Sequence, residues 1–128
     1  MNDQLEMNKK IVLEYTDLAF NQRKPEEAVA KYFGPYYRQH NPLAGDGPAS
    51  FIAHVKWFVQ TYPSFRTELK RIIAEGDLVV THTHIIREPG DPGLAVVDIF
   101  RIENGKPVEH WDVVQEVPEK SANNNTMF

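Results

Sequence analysis

The stretch Val96-Val97-Asp98-Ile99-Phe100-Arg101-Ile102-Glu103-Asn104-Gly105-Lys106-Pro107-Val108-Glu109-His110-Trp111-Asp112-Val113-Val114-Gln115 decides the fold. It reads as two apolar strands joined by a tight Asn-Gly turn. Asp98 interrupts the first strand; His110 and Asp112 interrupt the second. Acids and imidazoles within β-runs are costly to bury unless they are paired. A hairpin that gathers three such groups is a candidate acid/base site.

Strand parity decides which of these groups share a face. A two-residue turn at Asn104-Gly105 sets Asp98 against Trp111 and beside Glu109. A three-residue loop with Gly105 as a left-handed bulge residue sets Asp98 against His110, with Asp112 on the same face. The second register is preferred, because Arg101, Glu109 and Trp111 then share an outer face. Val96, Asp98, Phe100, Val108, His110, Asp112 and Val114 share the inner one. An apolar face carrying an Asp-His-Asp cluster has the composition of a small-molecule pocket. The structural alternative is an ion pair of Asp98 with Arg101 or His110.

Upstream of this hairpin, Phe65 to Ala74 and Leu78 to Glu88 read as strands around the turn Glu75-Gly76-Asp77. Pro89 to Gly93 is a loop of turn residues. The N-terminal half has helical spacing instead. Asp3 to Phe20 carries the stripe Leu5, Ile11, Val12, Tyr15, Leu18 and Ala19. A short helix starts at Pro25, which suits a first turn. A third follows Gly47-Pro48 and runs to about Tyr62, with Phe51, Ile52, Val55, Phe58 and Val59 apolar. Tyr36 to Pro48 is a loop holding Tyr37, His40 and Asn41. Ser121 to Phe128 is a polar tail, exposed or packed on a partner. Helices followed by strands predict an α+β fold with an antiparallel sheet curled over the helices.

With 128 residues, 41% hydrophobic and 25% charged, the chain is one soluble domain, residues 1–128, with 118–128 as a tail. The net charge of −4 and the lack of a basic tract argue against nucleic acid. The chain has no cysteine, which excludes disulfides, Cys-ligated zinc and thiol catalysis. The polar start and the absence of an 18-residue apolar run predict neither a secretory signal nor a membrane span, hence a cytoplasmic protein. Val97, Ile99, Trp111 and Val113 predict an apolar outer sheet face and a homodimer through it.

The helix-then-sheet order, the loop Tyr37-Arg38-Gln39-His40-Asn41-Pro42 and the segment from Asp98 to Asp112 resemble the SnoaL-like polyketide cyclases. These belong to the nuclear transport factor 2-like superfamily, which also holds the ketosteroid isomerases. The resemblance spans about residues 5 to 117. It is nearest the branch described as SnoaL-like aldol-condensation enzymes, and the ending Ser121-Ala122-Asn123 to Phe128 fits that branch. It implies a cone-shaped α+β barrel with a deep pocket. Asp112 falls where the cyclases carry an acid/base carboxylate. Asp98 falls where they tend to carry a His and where the isomerases carry an oxyanion-stabilising Asp. The isomerases' general-base Asp has no counterpart here, and the corresponding loop offers His40.

The chemistry implied is proton transfer at a carbon next to a carbonyl, as in aldol condensation, cyclisation or isomerisation, with no metal and no cofactor. Two carboxylates in one dry pocket repel, so one of them should hold a proton. Asp112 is then the base and a protonated Asp98 the hydrogen-bond donor to the enolate. His110 tunes the pair, and His40 is a second proton carrier or a substrate anchor. Tyr15, Tyr37, Asn41, Trp57, Phe58 and His82 are the candidate substrate-binding residues, and their aromatic walls suit a small, flat, apolar carbonyl compound. His82 and His84 share a strand face at a spacing compatible with a metal, but a pocket role for one of them is preferred. His54 reads as partly buried or on the surface. Two rival readings stand beside the enzyme: a non-catalytic ligand-binding or assembly domain, and a hydrolase or dehydratase on the same fold.

Overall fold

Asn104 and Gly105 both have positive φ, 51° and 74°. That pair of left-handed residues is the two-residue hairpin turn that Asn-Gly favours. The turn therefore differs from the three-residue loop expected above, yet the inner face expected from that loop survives. The computed structural model, which describes residues 2–128, shows why. Next to the turn, Ile102 pairs with Pro107, but farther out Arg101 pairs with Glu109. Val108 is an extra residue, a bulge that shifts the register by one. Pro107 beside it has no N–H to give a ladder, so a bulge is its natural place. Beyond the bulge Asp98 lies opposite Asp112, and His110 lies opposite Phe100. The expectation that Asp98 directly faces His110 is thus corrected: the two meet diagonally.

The elements run α1 (Asn2–Thr16), a π-helical turn (Asp17–Asn21), α2 (Pro25–Tyr32), β1 (Arg38–Gln39), α3 (Pro48–Thr61), β2 (Arg66–Glu75), β3 (Leu78–Ile86), β4 (Leu94–Glu103) and β5 (Lys106–Glu116). The sheet order is β1-β5-β4-β3-β2. It is an open, mixed sheet rather than a purely antiparallel one, because β1 pairs parallel with β5. The segment expected to be pure loop contains this short strand. The first helix, expected to run to Phe20, leaves α geometry after Thr16, whose hydroxyl bonds back to the Val12 carbonyl at 2.6 Å. After the π turn, Asn21 clips onto β2 through both the N–H and the carbonyl of Thr67.

An aromatic cluster holds helices to sheet. Tyr15 of α1 meets Phe33 at 5.2 Å and Phe100 of β4 at 5.8 Å, both edge to face. Phe33 also lies 5.0 Å from Phe51 of α3. Edge-to-face rings add to the burial gain of large apolar side chains. On the far side of the sheet, the Phe128 ring stacks on His84 at 4.0 Å. The tail is therefore laid on its own sheet.

The loop before β4 is clasped by charge. Arg87 reaches Asp91 at 2.8 Å and Glu116 at 2.7 Å. Gly93, at φ 90°, sits so close to the Ile85 carbonyl and the His84 ring that a Cβ would collide with them. The Arg87 guanidinium holds the Asp91 carboxyl well below the usual carboxylate range against the opposing effect of burial, helped by the Arg87 and Gly93 N–H groups. A carboxyl depressed in the folded state stabilises at pH values above its unfolded range, and that contribution is lost as pH falls through the folded value. Wild-type Tm is therefore expected to fall more between pH 5 and pH 2 than the Tm of Asp91→Asn. Equal losses would show that the clasp does not titrate.

Candidate active site

Helices and inner sheet face enclose a cavity of about 950 Å³. Strand alternation on β3, β4 and β5 aims Thr81 and Thr83, Val96 and Asp98, and His110 and Asp112 into it. Tyr15 from α1, Tyr37 and Asn41 from the β1 segment, and Trp57 and Phe58 from α3 complete the walls. Its mouth is apolar and open: Leu43 is 86% exposed and Trp57 54%.

The polar cluster forms one hydrogen-bonded patch. His110 Nε2 lies 2.8 Å from Asp98 Oδ1 and 4.0 Å from Asp112 Oδ2. His110 Nδ1 lies 2.8 Å from Gln39 Oε1. Asn41 Nδ2 donates to Asp112 Oδ2 at 2.9 Å, while its own Oδ1 accepts the Leu43 N–H at 2.8 Å. Thr81 Oγ1 lies 3.4 Å from Asp98 Oδ2. His110 is buried, and both carboxylates are largely covered. The structural alternative of an Asp98–Arg101 pair is not what forms, since Arg101 turns outward to Glu109 at 2.9 Å.

Two phenols lie beside this patch. Burial, with Tyr37 and Asp98 nearby, pushes the Tyr15 phenol far up. Burial likewise pushes Tyr37 up, although Tyr15 partly opposes this. Both stay protonated donors at any working pH. Among the described residues the Tyr15 hydroxyl is the one buried side-chain polar atom without a hydrogen-bond partner. Buried polar groups are paired in the great majority of cases, so an orphan beside a cavity is a functional signal.

Two expected site residues are elsewhere. His40 is on the outer face, stacked on Trp111 at 4.8 Å and bonded to Glu109 Oε2 at 2.7 Å. The cause is the unforeseen strand: in β1 and its continuation, Gln39 and Asn41 point inward, so His40 between them points out. His82 is also outside the cavity. Thr81 and Thr83 take the inward positions of β3, and His82 instead contacts Arg71 and faces the Phe128 ring at 5.7 Å. His84 is outside with it and bonds the Pro92 carbonyl at 2.8 Å. Neither side chain joins His110, so the metal grouping weighed for them is not assembled.

Gln39 and His54 also belong to the cavity wall, beyond the residues expected there. His54 lines the cavity from α3 and is held below the ordinary imidazole range, mainly by burial; Asp112 opposes this shift and His110 adds to it. Its i−3 and i+4 neighbours, Phe51 and Phe58, line the same cavity, and that stripe was the available signal. Asp98, His110 and Asp112 also offer three ligand-type atoms within 4.8 Å of one another. The Asp98–His110 contact, however, is at hydrogen-bond length, shorter than the roughly 3.3 Å between two ligands of one tetrahedral zinc ion. An ion would have to part them.

No curated protein matches this chain. Solved structures do. TsrD from Streptomyces laurentii is 24% identical, with TM-score 0.71 and coverage of 84% of this chain and 87% of that one. A candidate isomerase of the SnoaL-like family from Agrobacterium tumefaciens is 18% identical, with TM-score 0.73 and coverage of 87% and 99%. AclR, a candidate hydroxylase from Streptomyces galilaeus, is 20% identical, with TM-score 0.70 and coverage of 87% and 90%. At these identities the likeness shows a shared α+β fold. The SnoaL-like domain itself matches residues 12–110, most of the chain, and so this protein belongs to the SnoaL-like family.

Proposed function

We propose that the protein is a cofactor-independent enzyme that moves a proton on a small, neutral carbonyl compound, in a reaction of the aldol condensation, cyclisation or isomerisation type. One observation carries this reading: an Asp-His-Asp cluster and a buried phenol share one cavity whose lining surface is mostly apolar. A pure binding site has no need of so many titratable groups, whereas proton transfer to and from carbon needs a base and an acid a few ångströms apart.

The roles follow from the hydrogen bonds. Asp112 accepts from Asn41 on Oδ2 and has its other oxygen free, so it is the base. It removes a proton from the carbon next to the carbonyl, and the electron pair moves onto the carbonyl oxygen. The Tyr15 hydroxyl donates to that oxygen, and the proton held between Asp98 and His110 turns to it as that contact opens. In condensation the enolate carbon then attacks a second carbonyl, the first carbonyl re-forms, and the proton on Asp112 passes to the new alkoxide. In isomerisation the same proton returns to a different carbon. Among the described residues the one guanidinium in the wall, that of Arg87, is committed to Asp91 and Glu116, which disfavours an anionic substrate.

The test is hydrogen–deuterium exchange. The protein is incubated in D₂O with neutral aryl and cyclic ketones, and deuterium at the α-carbon is followed by NMR. Exchange above the buffer rate for at least one ketone is expected. Ketones that bind without any acceleration would reduce the protein to a ligand-binding domain.

A further inference from the structure

The hydrogen bonds around His110 determine where a single proton sits. A backbone N–H only donates. The Asn41 N–H points at Gln39 Oε1 from 3.0 Å, which identifies that atom as the amide oxygen. The same oxygen lies 2.8 Å from His110 Nδ1. An amide oxygen has no proton to give, so Nδ1 must carry one. A neutral His110 is then bare at Nε2, and Nε2 lies 2.8 Å from Asp98 Oδ1. Two lone pairs do not rest at that distance. One proton occupies the contact, on the carboxyl or on the ring.

We propose that Gln39 is a positioning residue that selects the Nδ1-protonated form of His110 and so loads one proton at the Asp98–His110 contact. Its use in turnover rests on the reading of Asp98 as the acid; the tautomer itself does not. Gln39 reaches His110 because β1 runs parallel to β5 with Gln39 opposite His110, and the next N–H, that of His40, bonds the His110 carbonyl at 2.9 Å. The Gln39 N–H is tied in turn to Asp46 Oδ1 at 2.8 Å, which anchors the strand from the following loop. Two consecutive inward residues thus divide the work. Gln39 orients the acid side through His110, and Asn41 orients the base Asp112. Without Gln39 the Nδ1 proton would face no acceptor, and the ring would gain by carrying its proton on Nε2, toward Asp98.

Long-range ¹H–¹⁵N NMR of the imidazoles in the full-length protein reads this directly, with His110 identified by the signal missing in His110→Asn. In the wild type, Nδ1 is expected to be of the protonated type wherever the ring is neutral. Gln39→Glu keeps an acceptor oxygen and should keep the pattern. Gln39→Leu, of similar size but with no acceptor, should lose it and slow ketone exchange several-fold, with recovery in the Glu variant. An unprotonated Nδ1 in the wild type, or an unchanged pattern in Gln39→Leu, would overturn the assignment. The wild-type spectrum decides even if the Leu variant does not fold. A correct tautomer with no ketone exchange would leave Gln39's role in the tautomer standing and refute the enzyme reading alone.

Discussion

Asp112→Asn is expected to slow exchange at the ketone α-carbon by about 10²–10⁴-fold, the usual contribution of a positioned general base. The substitution changes little else. Asn has the shape of Asp, and its amide oxygen is able to accept the Asn41 Nδ2 hydrogen bond that Asp112 accepts at 2.9 Å. It cannot take a proton. The thermal melt should therefore move little while the rate collapses, and ligand binding read in parallel should persist. An Asp112→Asn protein that exchanges at the wild-type rate would remove Asp112 from the chemistry and point to another titratable group of the cavity wall, His54 among them.

Tyr15 offers the second large effect, because its ring and its hydroxyl serve different ends. The ring is fully buried and touches Tyr32, Phe33, Phe51 and Phe100. Truncation to alanine leaves a ring-sized hole, which for a buried aromatic costs about 3–5 kcal/mol. In a domain of this length that lowers Tm by on the order of 10–20 °C. The hydroxyl, by contrast, makes no hydrogen bond of ordinary geometry; its polar neighbour is the Tyr37 phenol. Burying an unpaired polar group is unfavourable, so Tyr15→Phe should hold stability or raise it by about 1 kcal/mol. The same change should slow ketone exchange, because it removes the donor proposed for the developing oxyanion. Melts of the two variants beside the exchange assay separate packing from chemistry. A Phe variant that loses stability as the Ala variant does would mean that the hydroxyl is satisfied after all.

Much of this was legible in the chain because turn chemistry and periodicity are local. Asn104-Gly105 and Glu75-Gly76-Asp77 each announce a hairpin, and Pro25 and Pro48 each open a helix. The inner face of Asp98, His110 and Asp112 was also legible, although the expected route to it was wrong. The turn is the tight form, and the compensating residue is Val108. The signal was there in Pro107, which cannot donate to a ladder. The β1 strand was not legible. Arg38-Gln39 has no apolar alternation, and it is a strand only because β5 offers an edge for it. Missing it misplaced His40 and hid Gln39, since both facings follow from its parity. His82 failed for another reason. Thr and His are both compatible with either face of β3, so composition alone gave no parity, and the pairing with β4 decided it.

The two tryptophans stand on opposite sides of the sheet. Trp57 lines the cavity mouth, while Trp111 lies beneath His40 on the outer face. The protein thus carries two native optical reporters that view different events. Emission from Trp57 should respond when a ligand displaces water from the pocket. Emission from Trp111 should respond to anything that covers the outer face or lifts His40 from its ring. Replacing Trp111 with Phe leaves a single tryptophan, on the cavity, enough to titrate colourless ketones without a label.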